Sequence, residues 1–307
     1  MAAAHHRIVN IDRLRILAAF GVIWLHTEKA NAKIIAWSAL PVFLMLFCAL
    51  ISNNLQDQNL KTFSQKKIHR LLIPWLFWSL IYLAAKISKR IVYNISFSDV
   101  FTYYTLFTGP RIHLWFLPYA FIMAFAIYQI YIWTVNISPV TFMKFLILLA
   151  VTILFLCSFI LSTTPVPVPF SQWLFGLPAV FLGFAIGRIS ALTDTKKQKF
   201  YILTTLAASE TICLLLVILK FNTLVIPYGI AILLVCAAFI YKGRFDPVTS
   251  KVSSLTYGIY LIHPLIFSII KSLGSNNIND WLLMSLVFIF SAAVSSVLKK
   301  TALKIFI

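Results

Sequence analysis

The sequence predicts an all-α integral membrane protein of about ten transmembrane helices, with both termini cytoplasmic. Three observations carry this reading. Of the 307 residues, 61% are hydrophobic and only 11% charged, and the mean hydropathy is +0.93. A soluble domain of this length could not bury so much apolar surface. Apolar runs of about 18 residues or more recur along the chain, each long enough to cross a bilayer as a helix. Between them the basic residues alternate in abundance, the pattern that sets orientation in a membrane.

The runs fall at 9–28, 34–53, 71–89, 114–133, 144–162, 171–190, 200–219, 224–241, 255–272 and 281–298. With the N-terminus inside, the cytoplasmic segments hold 18 of the 26 Lys and Arg residues. The net charge of +18 is therefore read as topology, and no nucleic-acid partner is expected. The partners expected are membrane lipids. Residues 1–8 form a cytoplasmic tail, 9–298 a single membrane domain, and 299–307 a basic cytoplasmic tail. The first run carries Arg15 and His26 and is followed by no small-x-small site, so it is not a cleavable signal peptide. Residues 54–70 read as a basic inside loop leading into the third run. Residues 90–113 read as a Tyr- and Phe-containing outer segment lying on or dipping into the membrane face, closed by Gly109-Pro110-Arg111. The alternating prolines Pro165, Pro167 and Pro169 make a stiff extended connector. Cys48, Cys157, Cys213 and Cys236 all lie in apolar runs without ligand spacing, so they read as buried hydrophobes and no metal is expected.

Ionisable groups at membrane depth are the candidates for chemistry, because each costs several kcal/mol unless paired or hydrated. They are Arg15, His26, Glu210 and His263, with Glu28, His113 and Arg188 near the ends of runs. Arg15 and His26 stand eleven residues apart. On a helix that separation is three turns plus about 20°, and about 16 Å of rise. The pair thus shares one face at two depths. An imidazole such as His26 can take a proton from a hydroxyl near neutral pH; the plainer alternative is a histidine bonded for packing. Glu28 is off that face. Arg15 is either a snorkelling anchor or an anion-binding group facing the bundle. Lys67 and Arg70, three apart, could grip one phosphate together, or simply mark the inside. Thr256, Tyr260 and His263 fall at i, i+4 and i+7, a polar stripe that must face the interior; it lines a site or bonds helices together. Glu210, central in its run, either lines a site or neutralises a buried cation. His113 and Trp115 open the fourth run from the outside, where an aromatic belt accounts for the Trp.

The pattern Asp12-x-x-Arg15, then ten residues and His26, resembles the signature of the membrane acyltransferase-3 family. Later features agree: Lys67-x-x-Arg70 with Pro74 after it, His113-x-Trp115, and the stretch from Ser254 through Tyr260 to His263-Pro264. The similarity in order and spacing covers 10–298 and is closest to single-domain O-acetyltransferase members. The resemblance implies an enzyme of the cell envelope in a bacterial plasma (inner) membrane. Such an enzyme moves an acyl group, usually acetyl, from cytoplasmic acyl-CoA to a hydroxyl of an extracytoplasmic polysaccharide or lipid-linked sugar. It implies catalytic roles for His26 and Arg15, and acyl-CoA contacts for Arg15, Lys67 and Arg70. Asp12, Glu28, His113, Trp115, Glu210, Tyr260 and His263 are expected to line the substrate path. Phe47-Cys48 stands where members often carry a Ser-Gly pair, a departure that bears on helix packing and substrate fit. The alternative class is a transporter or flippase of a glycan or acylated product, which would also need buried polar groups.

Overall fold

The computed structural model describes residues 8–27, 31–53, 55, 59–94, 96, 102–221, 224–241, 243–273 and 278–307. Among them the chain is helical, with no strand. In chain order the helices are α1 Val9–Leu25, α2 Lys33–Ala36, α3 Ala39–Ser52, α4 Leu60–Lys67, α5 Ile73–Val92, α6 Thr105–Thr108, α7 Phe116–Thr134, α8 Pro139–Thr163, α9 Phe170–Ser190, α10 Thr195–Ile218, α11 Val225–Ile240, α12 Pro247–Ser253, α13 Thr256–Ser272 and α14 Asp280–Leu298. A π turn, Ile68–Leu72, joins α4 to α5, and 3₁₀ turns span Ile112–Trp115 and Ala302–Phe306.

Some helix starts carry a side-chain cap. Asn59 accepts from the amide of Thr62 at 2.8 Å, and Asp194 from those of Lys196 and Lys197 at 2.9 and 3.1 Å. Asp246, followed by Pro247 at the first helical position, caps α12 through Val248.

By length and composition, seven helices can cross a bilayer, or eight when α12 and α13 count as one span bent by 53°. The expected ten includes two further helices that fall just short of that length. α11 is apolar but only 16 residues long. α1 has 17 residues, and Asp12, Arg13 and Arg15 occupy its first two turns. One expectation is corrected. The basic segment before the third run is helical from residue 60, and α4, the π turn and α5 form one stretch from Leu60 to Val92.

The tightest seam lies between α3 and α9. A side chain at Gly183 would strike the backbone of Met45, and one at Gly187 would strike Ala49 and the Ser52 hydroxyl. Glycine here lets two helix backbones approach closely, the usual device where apolar burial alone cannot join helices. All four cysteines are free and buried. α1 packs against α3, α11, α12, α13 and α14, so the helix carrying Arg15 and His26 runs through the middle of the bundle.

Candidate functional site: a basic cavity and a histidine cluster joined by one helix

The first centre is a cavity of about 820 Å³ whose lining includes Arg15, Lys66, Lys67, His69, Arg70 and Lys299. No Asp or Glu belongs to its described lining. Leu40, Phe43, Phe47, Pro74, Phe116 and Tyr260, among others, also line it. A lining that mixes cations with apolar side chains suits a ligand combining anionic groups with a slender apolar or neutral arm.

The π turn explains how so many cations converge. Proline has no N–H, so Pro74 offers none to the carbonyl of Arg70, four residues back. That carbonyl accepts instead from the Tyr257 hydroxyl of α13 at 2.8 Å. The wider turn is a frequent mark of functional sites, and here it carries Lys67, His69 and Arg70 onto one wall. The Lys67 ammonium lies 5.4 Å from the ring centre of Phe47 and 5.1 Å from that of Phe63, a cation–π cradle. Phe47, one half of the departure in the second run, is thus part of the cavity wall. Lys299, just past α14, donates to the carbonyl of Ser254. Burial holds its ammonium below the ordinary lysine range.

Arg15 is held from behind. Asp12, buried, accepts from the Ser253 hydroxyl at 2.7 Å and lies 3.8 Å from the Arg15 guanidinium. It ties α1 to the α12–α13 bend and does not line the cavity.

The second centre lies at the other end of α1. The helix ends at Leu25, and His26 caps it with its backbone N–H on Ile23 at 3.1 Å. Its side chain is exposed. The ring centre of His26 is 5.1 Å from that of His263 and 6.4 Å from that of His113, and His113 and His263 are 5.5 Å apart. His113 and His263 are buried, and among the described residues the Nε2 of each has no hydrogen-bond partner. His113 is delivered by the 3₁₀ turn after Gly109, whose φ of +71° suits glycine. A Cβ at Gly109 would also lie 2.8 Å from the Ser79 hydroxyl. Tyr82 stands against His113 with ring centres 5.0 Å apart.

Tyr260 stands between the two centres. It lines the cavity, its hydroxyl donates to the backbone carbonyl of His113, and its ring centre is 5.9 Å from the ring of His113. Thr256, Tyr260 and His263 are all buried, so the i, i+4, i+7 stripe faces inward.

Other candidates lie elsewhere. Trp115 is buried against Phe116 and Tyr119. Glu210 faces Gly229 of α11 and lines neither centre; its Oε1 is buried without a partner among the described residues. Arg188 stacks on Tyr131 at 5.0 Å. Glu28 lies outside the described residues. Lys66, His69, Tyr257 and Lys299 join the cavity without having been singled out from sequence. Their only signals are the proline after the basic segment and the lysine that follows the last apolar run.

A family model described as an acyltransferase domain matches residues 8–300. No curated protein and no solved structure gives a match.

Proposed function

This chain belongs to the acyltransferase-3 family of membrane proteins, and on that premise we propose that it is an O-acyltransferase. In this reading it moves an acetyl group from cytoplasmic acetyl-CoA to a hydroxyl of an extracytoplasmic glycan or lipid-linked sugar. The observation that carries the proposal is the placement of a basic cavity, with no carboxylate among its described lining residues, and an imidazole cluster at opposite ends of α1. Eleven residues of helix separate Arg15 from His26, about 16 Å. Arg15, Lys67 and Arg70 bind the nucleotide phosphates, with Lys66 and Lys299 adding to the field. The pantetheine arm passes Phe116 and Tyr260 and brings the thioester toward His26. The surplus of basic residues in alternate segments supports a cytoplasmic placement of both termini and of the cavity, in a bacterial plasma membrane.

The chemistry then follows. His26 takes the proton of the acceptor hydroxyl. The freed oxygen forms a C–O bond to the thioester carbonyl, the C–S bond breaks, and the departing thiolate takes the proton back from His26. The exposure of His26 gives the acceptor access from the outer side.

The experiment uses the full chain in proteoliposomes with radiolabelled acetyl-CoA, reading release of the CoA thiol with water standing in for the acceptor. Time-dependent release that requires His26 supports the enzyme. Movement of label across the bilayer with no thiol release would favour a transporter and overturn the proposal.

A further inference from the structure

The histidine cluster contains an arrangement that the acyl-transfer reading does not by itself require. Pro264 lies inside α13. Having no N–H, it leaves the carbonyl of Tyr260, four residues earlier, without its helical donor. The ring of His263 turns back onto that carbonyl, with Nδ1 2.8 Å from the oxygen. A carbonyl only accepts, so in neutral His263 the proton is on Nδ1 and Nε2 carries a lone pair. That Nε2 is buried and has no hydrogen-bond partner among the described residues. The ring is fully buried, and the nearest histidine ring is the exposed His26, at 5.1 Å between centres. A ring-to-ring N–H···N bond of about 2.9 Å fits that spacing once the exposed His26 ring turns to present its N–H.

We infer that His263 is the positioning residue for His26. Its fixed Nε2 lone pair accepts the N–H on one nitrogen of His26, which leaves the other nitrogen of His26 bare toward the acceptor hydroxyl. When His26 takes the hydroxyl proton, the bond to His263 holds the imidazolium in place. In Ser-His-Asp enzymes a carboxylate orients the histidine in this way. Among the described residues no carboxylate is paired with His26, and a neutral imidazole with one locked tautomer stands in that position. Tyr260-x-x-His263-Pro264 is the sequence form of the device: the proline frees the carbonyl, and the carbonyl sets the tautomer. This inference rests on the acyl-transfer reading above.

The test measures acetyl-CoA hydrolysis by the full chain in proteoliposomes, and binding of 3′,5′-ADP by the same preparations. His263→Leu removes the lone pair and His263→Gln keeps an acceptor oxygen near the position of Nε2. The leucine variant is expected to lose about 100-fold in kcat, the low end of what general acid–base catalysis contributes. Its KM for acetyl-CoA and its 3′,5′-ADP affinity stay within twofold. The glutamine variant recovers at least tenfold of the loss. In a His26→Ala background, His263→Leu lowers the residual rate no further. An active wild type with an equally active His263→Leu overturns the inference alone, as does an equal loss in the His26→Ala background. A wild type that turns over no acetyl-CoA overturns the enzyme reading and this inference with it. Should His263→Leu fail to bind 3′,5′-ADP, Pro264→Ala decides. It returns an N–H to the Tyr260 carbonyl in competition with His263. A several-fold lower kcat with nucleotide binding intact supports the inference, and an unchanged kcat overturns it.

Discussion

Lys67→Met gives the sharpest test of the cavity as a phosphate site. The ammonium of Lys67 is half-buried and sits between Phe47 and Phe63 at 5.4 and 5.1 Å. Methionine keeps the length of the side chain and a polarizable atom against both rings, so packing survives. What is lost is a charge-assisted hydrogen bond to phosphate, about 1.5–3 kcal/mol. At about 1.4 kcal/mol per tenfold, the dissociation constant for 3′,5′-ADP should rise about 10- to 100-fold. Isothermal titration of the detergent-solubilised full chain reads this directly. The salt dependence of binding should also become shallower, because one fewer cation meets the phosphates. Lys144→Met, on the exposed face of α8 and outside the cavity lining, is the matched control and should change nothing. A Lys67→Met protein that binds 3′,5′-ADP within twofold of wild type would refute the assignment of the π-turn wall to phosphate.

Three further outcomes follow from the same contacts. Pro74→Ala restores an N–H to the Arg70 carbonyl, now held by Tyr257 at 2.8 Å; 3′,5′-ADP affinity should fall several-fold, and an unchanged affinity would show that the π turn does not shape the cavity. Tyr260→Phe leaves the buried His113 carbonyl without its hydroxyl donor, which should cost about 1–3 kcal/mol of stability. It should also slow thiol release more than it weakens nucleotide binding, as read by thermal melts and kinetics side by side. Gly187→Leu drives a side chain into Ala49 and Ser52 of α3, so size-exclusion chromatography should show no monodisperse protein; a well-behaved peak would contradict the close α3–α9 seam.

Much of the architecture was legible because apolar length reports directly on helices able to cross a bilayer. The limits of that legibility are equally physical. α1 and α11 are apolar enough to be seen but too short to count as full spans by length. Residues 60–67 looked like a loop because Lys61, Lys66 and Lys67 mask helical periodicity, yet Asn59 caps a helix there. At the site, Arg15 and His26 stood out because charged and titratable groups are expensive in a membrane helix. The i, i+4, i+7 spacing of Thr256, Tyr260 and His263 placed them on one face, and all three are buried. The meeting of His26, His113 and His263 joins three segments distant in sequence, and no local pattern encodes such a contact. The convergence of Lys299 and His69 on one cavity is likewise a contact between segments distant in sequence. The departure at Phe47 reads differently once Lys67 is found over its ring: an aromatic wall holds the cation at that point of the cavity.

The most direct measurement of the central claim separates the two ends of α1. Purified wild type, Arg15→Ala and His26→Ala are reconstituted, and 3′,5′-ADP affinity and acetyl-CoA turnover are measured on the same samples. The account predicts that Arg15→Ala weakens nucleotide binding by about tenfold or more, the worth of a charge-assisted contact. It predicts that His26→Ala binds nucleotide as wild type does while turnover falls about 100-fold or more. Turnover by His26→Ala at the wild-type rate would contradict it.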